Sequence, residues 1–402
     1  MEYVSGSIKL RDIFLDNGNW WKLFLKHRHL IRISIITNVL KLLACKTRLL
    51  GYHSYVCQKC HKSLKVPHSC KSRFCPSCGK KATDDWIKNS FNNLPHTTWQ
   101  HITFTMPDVL WNFFWMNRHL INKLPLLAAN IIKKLARKKG ILPGIYLAIH
   151  TFGRDLKRNI HLHLSTTIGG LSISKDSWFK NAYFYHDTLK KMWRYDVISL
   201  LRKEFKEGNL KLPPQLKHIK SYETFCSWTA QFYKKTWVVH LNKPSKNFKT
   251  TIEYLGRYLK RPPIGETRIK KYDGKTVTYE YLDHYTNTTE TMSLPVLDFI
   301  ERLIAHIPDK NFKNIRYYGF LANRVRGKLM PIVQKLISGK QFAKVKVYTP
   351  WRNMIKRTFR YDPLRCLNCG NIMKLQHITF PIRAPTIVSI HKEIAHGFFP
   401  LI

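Results

Sequence analysis

Apolar positions along this chain change period several times, and each change predicts an element. From residue 8 to about 50 the spacing is helical, with Ile13, Phe14, Trp20, Trp21, Phe24 and Leu25 as the expected buried face. The most apolar stretch, "LIRISIITNVLKLLACKTRLL", carries Arg32, Lys41, Lys46 and Arg48. It therefore reads as amphipathic helix, and no membrane span is expected. From "HITFTMP" (101–107) β-branched and aromatic residues take over, and a long amphipathic run over about 108–138 predicts a helix. "GIYLAIHTF" and "IHLHLSTTI" then alternate with period two, and the turn residues "GRDLKRN" between them predict a hairpin. "LDFIERLIAHI" (297–307) predicts a further helix. Helices and mostly antiparallel strands in irregular order predict an α+β fold. We divide the chain into an N-terminal segment (8–98), a central domain (99–345) and a basic tail (346–402).

Two of these elements carry candidate chemistry. On the strand "NIHLHLSTT", His161, His163, Ser165 and Thr167 share one face, and Leu162, Leu164, Thr166 and Ile168 share the other. Two imidazoles on adjacent same-side positions can chelate one divalent ion, although histidines on a strand are also ordinary. In "TTIEYLGRYLKRPP" (250–263) the spacing is helical and Pro262 and Pro263 stop it. Tyr254 and Tyr258 then share a helix face. Such a pair is commonly core packing, but Arg257, Lys260 and Arg261 around it would be costly to bury. A phenol, with a pKa of about 10, attacks a phosphodiester at neutral pH only with help. A histidine-held Mg2+ or Mn2+ would supply it.

Cysteine spacing adds a second kind of site. Cys57 and Cys60 form one C-x2-C pair and Cys75 and Cys78 another, with 14 residues between them. With Pro76 and Gly79 giving the second pair a tight turn, the two are expected to hold one structural Zn2+, and Cys70 could replace a ligand. Lys71 and Arg73 beside them would suit contact with DNA. Cys366 and Cys369 form a lone pair, half a site that His377, His391 or His396 would complete, or else two thiols without metal. The start "MEYVSGSIKLRD" lacks the marks of a signal peptide, so the nine cysteines are expected as ligands or free thiols and not disulfides.

Charge then narrows the function. The 402 residues hold 69 Lys and Arg against 24 Asp and Glu, a net +45, with 44% hydrophobic residues and 13% aromatics. That is a folded chain whose self-repulsion calls for a polyanion, so nucleic acid is the expected partner.

At these residues the sequence resembles the bacterial two-tyrosine HUH transposases of rolling-circle insertion sequences. The likeness runs from "LACKTRLLGYHSYVCQKC" and "HSCKSRFCPSCGKK" through "HITFTMP", "IHLHLSTTIGGLS", "WVVHLNKP" and "YLGRYLKRPPI" to "FIERLIAHIPDKNFKNIRYYGFLANR" and "CLNCGNIM". The resemblance implies an HUH nuclease core, an antiparallel sheet flanked by helices, preceded by a helical and zinc-knuckle module. It implies His161 and His163 as ligands of a catalytic divalent ion, with His150, Gln231 or Glu253 as the third. Tyr254 and Tyr258 become the nucleophiles, cutting single-stranded element ends through 5′-phosphotyrosine intermediates. Many relatives have a histidine where this chain has Asn159, and "KRPPIGET" also departs from the family pattern. The alternatives are a replication initiator of the same nuclease class and a non-catalytic zinc-containing DNA-binding protein. The chain has no G-x4-G-K-[ST] loop, so strand unwinding would come from host replication proteins. Cytoplasmic location, with nucleoid association when bound to DNA, is expected.

Overall fold

The computed structural model describes residues 8–245, 252–253, 256, 262–283, 286–339 and 350–380. At its centre is a five-stranded antiparallel sheet, in the order Ile315–Gly319, Gly144–Phe152, Arg158–Thr167, Trp99–Thr105, Val239–Leu241. The fold is α+β, and the hairpin expected from the two alternating runs is present. Its register pairs Ile145 with Thr166 and His150 with His161, and a bulge follows His150.

Alternation decides what each face meets. Ile160, Leu162 and Leu164 lie buried with Ile145, Leu147, Ile149, Ile102 and Phe104, under the helices Leu124–Arg137 and His186–Lys206. Burying each such side chain contributes about 1.5–3 kcal/mol. A one-residue slip of the strand would turn the leucines to the other face and lose that contribution, so the register of the histidine face is fixed by the apolar face behind it.

The helix expected over 108–138 is broken. A 3-10 turn, Asp108–Leu110, precedes helices Trp111–Met116, Arg118–Ile121 and Leu124–Arg137. Asn117 causes one break: its backbone leaves helical geometry (φ −108°, ψ 59°), and its amide donates to the carbonyls of Phe113 and Lys211, both at 3.0 Å. Pro125, tolerated only in a first turn, begins the last helix.

The N-terminal helices Leu10–Leu15, Asn19–His27 and Ile33–Leu43 share a core with the strands Ile269–Tyr272, Thr276–Leu282 and Thr289–Pro295 and the helix Val296–Ala305. Ile13, Phe14 and Trp20 are buried there as expected, and Trp21 and Phe24 are half-buried. Leu25 departs from the expectation: it is 71% exposed, at the edge of the helix stripe. Tyr279 ties this assembly to the hairpin turn by donating to the Asp155 carbonyl at 2.7 Å. Near the other end of the chain, helix Trp351–Phe359 leads to strand Lys374–Thr379, which returns to pair with Tyr52–Val56; that strand also pairs with Ser63–Pro67. Among the described residues no helix is long and apolar enough to cross a membrane.

Candidate metal centre and the helix beside it

The histidine face of the central sheet brings three imidazoles together. His163 lies across from Ala148, His161 across from His150, and the ring centroids are 4.8 Å (His161–His163), 4.8 Å (His150–His163) and 5.3 Å (His150–His161) apart. One nitrogen from each can be chosen so that all lie within 4.8 Å of one another. Of the candidates for a third ligand, His150 is the one brought against the pair. Gln231 is exposed on the 3-10 turn Gln231–Lys234, and Glu253, half-buried, is not among the clustered donors.

Neighbouring groups set the tautomers. The Asn159 carbonyl lies 2.9 Å from His161 Nδ1 and accepts its proton, which leaves Nε2 as the donor atom. This role belongs to the backbone at 159 and does not depend on the side chain there. His163 Nδ1 lies 3.0 Å from Nε2 of His101, on the adjacent strand, and His101 Nδ1 lies 3.3 Å from Ser165 Oγ. A proton on each Nδ1 satisfies this chain and leaves Nε2 of His163 unprotonated. Burial, reinforced by the neighbouring imidazoles, holds His163 well below the usual histidine range and His101 down to about 3. Both are neutral at pH 7, the state in which an imidazole nitrogen can hold a cation. His101 is not among the residues that the sequence singles out; "HITFTMP" does place a histidine on a strand face, but only the pairing of His101 with Ser165 puts it beside the site.

The cysteines form two clusters where one site was expected. Cys45, Cys70, Cys75 and Cys78 make the first, and Cys57, Cys60, Cys366 and Cys369 the second. The two C-x2-C pairs of the N-terminal segment therefore do not face each other. The strand Tyr52–Val56 carries Cys57 away from Cys75, and the gap is filled by Cys45, which lies outside every C-x2-C pair, and by Cys70. In the first cluster the Sγ atoms of Cys45 and Cys78, Cys70 and Cys78, and Cys45 and Cys75 are each 3.7 Å apart. Tetrahedral Zn2+ with bonds of about 2.3 Å needs edges of about 3.8 Å, so this donor set fits zinc. Cys75 and Cys78 do not sit in a tight turn. Cys75 caps helix Pro76–Asn93, with Pro76 in its first turn. Lys71 is exposed beside this cluster, whereas Arg73 is half-buried and lines a cavity with Phe74, Arg118, Phe152 and Asp309.

Helix Pro76–Asn93 also forms the bed for the segment that holds the two tyrosines. Tyr254, Tyr258, Arg257, Lys260 and Arg261 lie outside the described residues, but Ile252, Glu253 and Gly256 are helical. Ile252 is buried in a cluster with Trp86, Trp99, Tyr146 and Ala148. A Cβ on Gly256 would lie 2.3 Å from Ile87 Cγ1 and 3.6 Å from Trp86 Cε3, and one on Gly79 would meet Pro262 Cδ at 2.8 Å. The helix that starts at the first cysteine cluster thus touches the segment at both 256 and 262. Tyr146 and Ala148 belong to the strand that carries His150, so the same apolar cluster links this segment to the histidine face.

An antiparallel sheet carrying three converging histidines, joined to a basic, cysteine-rich N-terminal module, is the arrangement of a protein equipped with metal-ligand clusters and charged for nucleic acid. Comparison with known proteins makes this specific. Residues 144–328 match the family described as "Putative transposase", and residues 17–106 match "Transposase zinc-binding domain". The chain is 38% identical over 371 residues to "Transposase for insertion sequence element IS801" of Pseudomonas savastanoi pv. phaseolicola, spanning 90% of this chain and 87% of that one. It is 28% identical over 324 residues to "Putative transposase y4qJ" of Sinorhizobium fredii, spanning 79% and 80%. No solved structure matches it. The chain belongs to the family of insertion-sequence transposases typified by these proteins. DNA is therefore its partner, and structural zinc belongs to its N-terminal domain.

Proposed function

We propose that this transposase cuts and rejoins single-stranded DNA at element ends, with Tyr254 and Tyr258 as nucleophiles and His150, His161 and His163 holding a divalent ion. The observation that carries this reading is the convergence of three imidazoles on the sheet face whose apolar cluster also holds Ile252. Three nitrogen donors suit Mn2+ better than Mg2+, which prefers an all-oxygen shell. When bound, the ion would neutralise charge on the non-bridging phosphate oxygens.

The remaining work falls to the chain. The tyrosine oxygen forms a bond to phosphorus as the bond to the 3′-oxygen breaks; the phenol gives up its proton and the 3′-oxygen gains one. The product is a 5′-phosphotyrosine and a free 3′-hydroxyl, with no net change in the number of phosphoester bonds. A second tyrosine at helical spacing lets the protein hold one cut end while it cuts another strand, as rolling-circle-type transposition requires. Arg257, Lys260, Arg261 and exposed Lys71 would contact the DNA backbone. Cys45, Cys70, Cys75 and Cys78 hold the structural zinc, which fixes the start of the helix bearing Trp86 and Ile87. In this reading residues 99–345 are the catalytic domain, residues 8–98 its DNA-contact module, and unwound strands come from host replication in the bacterial nucleoid.

The test is incubation of the purified protein with a labelled single-stranded element end and Mn2+. A covalent 5′-linked adduct is expected, reduced in Tyr254→Phe and in Tyr258→Phe and absent in the double variant. An adduct formed at the wild-type rate by the double variant refutes the assignment.

A further inference from the structure

The zinc-binding family match ends at residue 106, yet the second cysteine cluster takes half its donors from residues 366 and 369. We propose that Cys57, Cys60, Cys366 and Cys369 bind a second Zn2+, which clamps the C-terminal segment onto the N-terminal module.

Two independent observations carry this. The first is the donor geometry. Sγ of Cys57 is 3.4 Å from that of Cys369, and Sγ of Cys60 is 3.5 Å from that of Cys366. These separations are far beyond a bonded pair of about 2.05 Å and close to the edge of about 3.8 Å in a zinc–thiolate tetrahedron. All four sulfur atoms lie within 4.8 Å of one another, although the pairs are 312 and 306 residues apart in the chain.

The second is that both C-x2-C turns have the same backbone. The amide of His61 donates to the Cys57 carbonyl at 3.0 Å, and the amide of Gly370 donates to the Cys366 carbonyl at 2.9 Å. The amide of Cys57 donates to Lys62 at 2.9 Å, and that of Cys366 donates to Asn371 at 2.8 Å. The residue four after the first cysteine is left-handed in each, His61 at φ 54° and Gly370 at φ 74°. Two turns of different sequence and distant origin thus adopt one loop, the form in which both thiols of each turn point to a common centre. That is a metal knuckle repeated, and four thiolates select a soft ion such as zinc.

The surroundings fit a structural and not a reactive site. Tyr55, Cys57, Cys366 and Met373 are buried together, with Leu64, Val66 and Leu364 packed around them. With four protein donors the coordination shell is closed. The site would hold strand Lys374–Thr379 against Tyr52–Val56, and so place exposed Arg365 and Lys374 on the same module as exposed Lys59, Lys62 and Lys65.

Zinc content of the purified full-length chain tests this without any measure of DNA cleavage. The wild type should carry two zinc ions per chain. Cys366→Ser with Cys369→Ser should carry one, Cys57→Ser with Cys60→Ser should carry one, and the fourfold variant should also carry one, since both pairs serve a single ion. A wild-type count of one, losses that add in the fourfold variant, or iron in place of zinc overturns the proposal. Should a variant fail to fold, the wild type loaded with 113Cd decides: two four-sulfur signals need eight of the nine cysteines and support it, whereas a single such signal refutes it.

Discussion

Gly256 lies midway between Tyr254 and Tyr258, and its packing gives the most quantitative expectation. A Cβ there would sit 2.3 Å from Ile87 Cγ1 and 2.6 Å from Ile87 Cδ1. Carbon atoms rest at about 3.5 Å or more, so Gly256→Ala needs a displacement of about 1.2 Å by the tyrosine segment, by Ile87, or shared between them. Overpacking of this kind costs about 1–3 kcal/mol of stability. A reacting group misplaced by about 1 Å can lose on the order of 100-fold in rate. We therefore expect Gly256→Ala to lower the rate of adduct formation on a single-stranded end by 10-fold or more, roughly in line with that misplacement penalty. Ile87→Ala removes the atoms that collide, so the double variant Gly256→Ala, Ile87→Ala should regain much of the lost rate while Ile87→Ala alone changes it little. Cleavage by Gly256→Ala at the wild-type rate, or no recovery in the double variant, would refute the claim that this contact positions the nucleophiles.

Three further outcomes follow from other parts of the molecule. His101→Ala should raise the Mn2+ concentration for half-maximal cleavage by about 10–100-fold, because His163 loses the group that orients it. A rate at saturating Mn2+ close to the wild type, with the midpoint shifted, is the expected pattern, and an unchanged midpoint would exclude that role. His306 gives a pH effect on stability. Burial, with Arg158 and Arg118 nearby and against the pull of the Leu156 carbonyl and Asp155, holds it down to about 4. The unfolded chain takes up this proton near pH 6.5 and the folded chain does not, so stability is full above that pH and falls as pH drops toward 4, by up to about 3 kcal/mol. Urea unfolding at pH 7 and pH 5 should show this fall in the wild type and a smaller one in His306→Gln; equal slopes would exclude it. Chelation of zinc should lower the melting temperature, because Cys45, Cys75 and Cys78 belong to the same core as Phe14, Trp20 and Phe299. An unchanged melting curve after complete zinc removal would show that this core stands without the ion.

Much of the fold was legible in the sequence wherever a local period carried it. The alternation in 144–152 and 159–168 specified the hairpin, since two-residue periodicity with a turn between leaves few other structures. It also placed His161 and His163 on one face. The helix at 297–307 was legible for the same reason, and so was the α+β class. Period alone did not reveal the break at Asn117, whose cause is a hydrogen bond to Lys211, distant in sequence. Nor did it show that Leu25 faces solvent, because that depends on where the neighbouring core ends.

The sites divide in the same way. A polyanion as the expected partner, paired histidines facing one way and thiols at knuckle spacing are all readable along the chain. Each of these is a property of charge or of short-range chain geometry. Which groups meet depends on how the chain folds back on itself. His150 joins the pair because the hairpin register sets it across from His161. His101 supports His163 because a separate strand lies alongside. The cysteines divide as 45, 70, 75, 78 and 57, 60, 366, 369 because the chain returns from its C-terminal end to add a strand beside Tyr52–Val56. Contacts across some 300 residues leave no period in the sequence; they are fixed by which apolar surfaces are buried against one another when the chain closes on itself.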